Sequence, residues 1–216
     1  MDSVLASIVS LRPEGDQGLR ALGTLCGKHI FTCAHMFNYL PVSLIETGLF
    51  DVCRTEGGPS GTFAMLLATT MDFMILAPDG LNLGLSEGGP TSSAFDVADT
   101  WEERHPHIKP TSVRFESGVS AVELPGFFFG PDGKTIHKTV FTIFRDSEQV
   151  SYFSNEMVPG CSGGPLFTED LHLIGVNTNF SNMPNRSGQR HAVGRRIDLC
   201  CPQLLQPRFD WELLAV

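Results

Sequence analysis

Short apolar runs, each closed by Gly, Pro or Asp, recur along nearly the whole chain. This spacing predicts many short strands and few helices. Ser7 to Leu11 reads as a first strand stopped by Arg12-Pro13, with a turn over Pro13 to Gly18. Leu19 to Cys26 and His29 to Ala34 read as two strands of a hairpin around Gly27-Lys28. Met36 to Ile45 predicts a short helical turn followed by a strand. Phe63 to Leu67 and Phe73 to Ala77 are further strands, the second stopped by Pro78-Asp79-Gly80. Gly57 to Gly61 and Gly88-Gly89-Pro90 are turns.

Thr91 to Ser112 differs in character. It is polar, ends at Pro110-Thr111-Ser112, and reads as a connection with one helical turn at Phe95 to Glu102. Strand signals then resume at Val113 to Phe115, Val119 to Leu124, Thr135 to Phe144, Val150 to Phe153, Gly164 to Phe167, Leu171 to Thr178 and Arg190 to Ile197. Asn182 to Gln189 is a polar loop, and Pro202 to Leu214 predicts a short terminal helix. The pattern is that of an all-β sandwich or barrel in two parts, residues 1–98 and 113–216, joined by 99–112.

Composition narrows the function. With 216 residues and 42% hydrophobic content, the chain can bury a core. The net charge is −9 and no Lys/Arg cluster occurs, which argues against nucleic acid as a partner. Phe144-Arg145-Asp146 resembles an RNA-binding element of some viral proteases, but it lies in the wrong half of the chain for that role. Gly61 to Ala77, the longest apolar stretch, is broken by threonines and Asp72, so no membrane span is expected. Met1-Asp2-Ser3-Val4 lacks the basic region of a secretory signal, which predicts an intracellular protein. The six cysteines show no Cys-x-x-Cys spacing and are expected as free thiols. His105 and His107 lack a third ligand and read as linker residues, so neither metal nor cofactor is expected.

Three stretches carry candidate chemistry. Gly160-Cys161-Ser162-Gly163-Gly164-Pro165 places a serine between small residues. A tight turn there exposes the hydroxyl and frees the N–H groups beside it to face a developing oxyanion. Alone, it could also be a turn joining two strands. Thr32-Cys33-Ala34-His35 puts a histidine at a strand end, where it can exchange a proton near neutral pH. Asp72 interrupts an apolar run, and a buried carboxylate requires a partner. It could orient an imidazole or cap a turn.

Together these stretches resemble the chymotrypsin-like serine proteases. Thr32-Cys33-Ala34-His35 is similar to their Thr-Ala-Ala-His, Asp72-Phe73-Met74-Ile75-Leu76 to their Asp before an apolar strand, and the Ser162 stretch to their Gly-Asp-Ser-Gly-Gly-Pro. The resemblance runs from Ile8 to about Leu199. It implies two six-stranded antiparallel barrels and a short C-terminal helix, with His35 and Asp72 on the first barrel and Ser162 on the second. It further implies an extended polypeptide substrate between the barrels and a pocket touching Glu156, Asn177 and Thr178. Cys161 stands where trypsin-like enzymes carry the acid that receives a new N-terminus, so activation by N-terminal insertion is not expected. These departures point to compact members that process viral polyproteins, including their own, in the host cytoplasm. Deg-type cellular proteases and an inactive protease-fold binding domain are the alternatives.

Overall fold

The computed structural model describes residues 2–13, 21–26, 29–39, 49–54, 60–78, 108 and 110–205. Twelve strands lie within them. They are β1 (Ile8–Pro13), β2 (Ala21–Cys26), β3 (His29–Thr32), β4 (Leu49–Arg54), β5 (Ser60–Ala68), β6 (Met74–Pro78), β7 (Ala121–Phe129), β8 (Ile136–Phe144), β9 (Gln149–Ser154), β10 (Pro165–Thr168), β11 (Leu173–Pro184) and β12 (Arg190–Arg196). They form two closed barrels, β1-β2-β3-β6-β5-β4 and β10-β11-β12-β9-β8-β7. Every pairing is antiparallel.

The apolar runs that defined the strands serve two cores at once. Successive strand residues face opposite sides. On β2, Ala21 and Leu25 fill the first barrel, while Leu22 and Cys26 join a cluster between the barrels. Ile30 and Phe31 divide in the same way on β3, as do Leu76 and Ile75 on β6. The second barrel mirrors this, with Phe128 and Leu166 inside and Phe127, Phe129 and Phe167 at the interface. Burial on both faces explains why these strands read as continuous apolar runs rather than alternating ones. Ring contacts reinforce the shared cluster: Phe31 meets Phe73 edge-on at 5.6 Å, and Phe127 stacks on Phe167 at 5.6 Å.

Several expectations are corrected. Asp2–Ser7 is a short helix preceding β1, with buried Val4 packed into the shared cluster. Its last residue turns back, Ser7 Oγ donating to the Val4 carbonyl at 2.7 Å. Val113 to Phe115 is not a strand, and its first N–H is held by a side chain and not by a ladder. The Val113 N–H donates to Asp198 Oδ2 at 3.0 Å. Asp198 is itself bidentate to Arg196, at 3.0 and 2.9 Å. The Arg196 Nη1 group also donates to the carbonyls of Phe144, Arg145 and Ser147. This buried pair thereby ties the crossing segment and the β8–β9 turn to the end of β12.

Arg145 is likewise engaged, donating to the carbonyls of Val119 and Glu116. The chain after β12 forms a helical turn, Ile197–Cys200, and a 3₁₀ turn, Pro202–Leu205. The rest of the expected terminal helix lies outside the described residues. So do His105, His107, the Phe95 to Glu102 turn, the Gly88-Gly89-Pro90 turn and most of the 99–112 connection. Cys26, Cys33, Cys161, Cys200 and Cys201 are buried free thiols. Among the described residues, no helix is long and apolar enough to cross a membrane, and no cluster of metal-binding side chains occurs.

Candidate active site

His35 follows β3 directly, in the 3₁₀ turn Ala34–Tyr39. Asp72 sits in the tight connection between β5 and β6. Its N–H donates to the Thr69 carbonyl at 3.2 Å, and the Thr69 N–H returns a bond to Phe73 at 2.8 Å. Asp72 adopts φ = +60°, a left-handed conformation that Asp tolerates better than most residues. That turn aims the carboxylate at His35. Asp72 Oδ1 accepts the His35 backbone N–H at 2.6 Å, and Oδ2 lies 2.9 Å from the ring Nδ1. An ionised carboxylate is an acceptor only, so Nδ1 carries the hydrogen and Nε2 presents its lone pair. Cys33 Sγ lies 3.7 Å from Nε2. Burial pushes the Cys33 thiol well above its ordinary range, with the Asp72 charge adding to the shift.

The serine stretch folds as two successive turns. Val158-Pro159-Gly160-Cys161 closes with Cys161 N–H on the Val158 carbonyl at 3.2 Å. Proline in second place and Gly160 at φ = +98° in third are the type II signature. Cys161-Ser162-Gly163-Gly164 closes the same way, Gly164 N–H on Cys161 at 3.1 Å, with Gly163 at φ = +78°. Ser162 is therefore at the second position of a turn, partly exposed. The N–H groups of Cys161, Gly163 and Gly164 are used within the protein. Among the described residues, those of Gly160 and Ser162 have no acceptor. Cys161 points the other way, into the second barrel core, and burial raises its thiol pKa.

One peptide plane joins the two barrels. The Ser162 carbonyl accepts the Leu22 N–H from β2 at 2.8 Å, and the Gly163 N–H donates to the Asn177 carbonyl on β11 at 2.8 Å. These two groups belong to the same peptide unit, the one that follows the Ser162 Cα. A Cβ on Gly163 would lie 2.1 Å from the Leu22 carbonyl oxygen and 2.2 Å from Thr32 Oγ1, so only glycine fits. The structure thus brings His35 and Asp72 into direct contact and docks the Ser162 turn on the first barrel. Among the described residues, the Ser162 hydroxyl makes no hydrogen bond, to His35 or to any other group.

The expected pocket residues fare differently. Asn177 is fully buried, and its Oδ1 accepts the Tyr152 hydroxyl. Among the described residues, its Nδ2 is buried without an acceptor. Thr178 is the extra residue of a β-bulge between Asn177 and Asn179, and its hydroxyl donates to Val193 at 3.0 Å. Glu156 is exposed. Tyr152, Leu22 and Thr32 were given no role by sequence, because their partners lie far away along the chain.

No family model and no curated protein matches the chain. Solved structures do. The HtrA-type protease AlgW with tripeptide superposes with a TM-score of 0.56 at 13% identity, over 94% of this chain and 60% of that one. A serine endoprotease from Yersinia pestis gives 0.56 at 15%, over 99% and 64%. This chain thus spans less than two thirds of either protein. The serine protease of a human pathogenic astrovirus gives 0.50 at 15%, over 94% of both chains. The two closed barrels and these likenesses identify the fold as that of the chymotrypsin-like serine proteases.

Proposed function

We propose that this chain is a serine endopeptidase. Ser162 attacks the peptide carbonyl, His35 Nε2 takes its proton and returns it to the leaving amine, and Asp72 holds the tautomer and stabilises the imidazolium. The free N–H groups of Gly160 and Ser162 receive the oxyanion. The observation that carries this reading is the Asp72–His35 pair, with the carboxylate on both the backbone N–H and Nδ1, on the barrel against which the Ser162 turn is docked. Free catalytic hydrogen bonds often form only with substrate in place, so an unbonded Ser162 hydroxyl is compatible with activity.

The substrate is a polypeptide in extended form, with the side chain before the scissile bond received near Asn177 and Thr178. The unpartnered Asn177 Nδ2 favours a side chain ending in a carbonyl or carboxylate oxygen. The exposed Glu156 offers no buried anion for Lys or Arg. The biological substrate is a viral polyprotein that includes this chain. Support comes from Cys161 at the position of the zymogen-linked acid. The test is a serine-directed phosphonylating reagent followed by peptide mass mapping, with cleavage profiling on a peptide library. An adduct on Ser162 and peptide turnover are expected. Intact peptides with an unlabelled Ser162 would leave a protease-fold binding domain.

A further inference from the structure

We propose that Thr32 is a positioning residue which sets the spacing between the nucleophile turn and the histidine-bearing strand end. The inference rests on the serine-endopeptidase reading. Thr32 closes β3, three residues before His35, and pairs with Met74 on β6, the strand that follows Asp72. Its side chain is fully buried. Its hydroxyl donates to the Leu22 carbonyl at 2.8 Å, and the Leu22 N–H donates to the Ser162 carbonyl at 2.8 Å. The Cα of Gly163 packs against the same two oxygens, as the short 2.1 and 2.2 Å approaches of a Cβ there show.

Thr32 therefore links the frames of all three candidate residues, its hydroxyl reaching Leu22 beside the Ser162 turn and its backbone leading to His35 and pairing with the strand after Asp72. It holds Leu22 at the position where the Ser162–Gly163 peptide can accept its N–H. The other end of that peptide is fixed by Asn177 of the second barrel. Without the hydroxyl, Leu22 is free to shift, and the Ser162 Cα shifts with the peptide it carries. Such a movement alters the approach of Oγ to Nε2 but leaves the pocket around Asn177 in place. Its effect falls on the chemical step and not on substrate binding.

The test compares Thr32→Val, Thr32→Ala and Thr32→Ser in the full chain. Three readouts are taken: steady-state cleavage of the best peptide from profiling, the rate of Ser162 phosphonylation, and hydrogen exchange of the Leu22 amide. Thr32→Val and Thr32→Ala are expected to lower kcat by about tenfold or more, with KM changed by less than about twofold. Ser162 labelling should slow in parallel, and the Leu22 amide should exchange faster. Thr32→Ser should restore all three. Wild-type kcat in Thr32→Val, a loss confined to KM, or an equal loss in Thr32→Ser would overturn the proposal. If Thr32→Val does not fold, the Ala and Ser variants decide. If the wild-type protein neither cleaves nor is labelled, the endopeptidase reading fails. Leu22 exchange then still judges Thr32, and unchanged protection in Thr32→Ala overturns its role.

Discussion

Asp72 grips His35 with both carboxylate oxygens, one on the backbone N–H at 2.6 Å and one on Nδ1 at 2.9 Å. The two bonds do different work. The first fixes where the residue sits, and the second fixes which nitrogen carries the hydrogen. Asp72→Asn keeps an acceptor for the backbone and suits the left-handed conformation at φ = +60°. Its NH₂ cannot accept from Nδ1, so the tautomer reverses. The expected result is an intact fold and a drop in kcat on the order of 10⁴. Peptide cleavage and thermal unfolding, measured together, check it.

Cys161 and Ser162 are adjacent, and the thiol is intrinsically the better nucleophile. Its side chain is fully buried and its pKa raised, so the thiolate is suppressed. Cys161→Ala is expected to keep substantial activity, and mild alkylation to do little. Ser162→Ala should abolish turnover with the fold unchanged. Activity in Ser162→Ala together with its loss in Cys161→Ala would reverse the assignment.

If Asn177 borders the proposed substrate pocket, its Nδ2, buried without an acceptor among the described residues, sets the preference there. Removing a buried hydrogen-bonding partner costs about 1–3 kcal/mol. Asn177→Ala should therefore reduce kcat/KM by roughly tenfold to a hundredfold for peptides whose residue before the cleaved bond ends in a carbonyl or carboxylate. Peptides with aliphatic side chains there should be little affected. Glu156→Gln should leave the profile unchanged, since that carboxylate is exposed. Library profiling of the two variants separates the cases.

Arg196 and Asp198 form a bidentate pair that is nearly inaccessible, at 3% and 8% exposure. Breaking such a pair leaves an uncompensated buried charge. Asp198→Ala is expected to lose about 3–5 kcal/mol of stability, read by urea unfolding. Arg196→Met with Asp198→Leu should recover part of that loss, because both charges are then gone. The Val113 segment, which donates to Asp198, should become protease-sensitive in both.

The sequence carried the fold unevenly. β2, β3 and β6 were legible because each is buried on both faces and bounded by turn residues. β4, Leu49–Arg54, gave no clear run, since Asp51 and Arg54 break its apolar pattern. Val113 to Phe115 looked like a strand because apolar residues flank Arg114, but its N–H is satisfied by a carboxylate far along the chain. His35, Asp72 and Ser162 were legible through their local motifs. Leu22 carries no such mark, and Thr32 was visible only as a letter of the histidine motif. Their importance lies in contacts between segments that only folding brings together.

The peptide after Ser162 is held at one end by a strand made early and at the other by a strand made after it. A growing chain would therefore carry the serine for some time before either clamp was complete. Only when β11 has left the ribosome, and β12 after it has closed the second barrel against β9, can the Ser162–Gly163 peptide settle. On the serine-endopeptidase reading, hydrolytic competence would then arrive late in synthesis and all at once. A chain truncated before Asn177 would remain inert, even though it contains His35, Asp72 and Ser162.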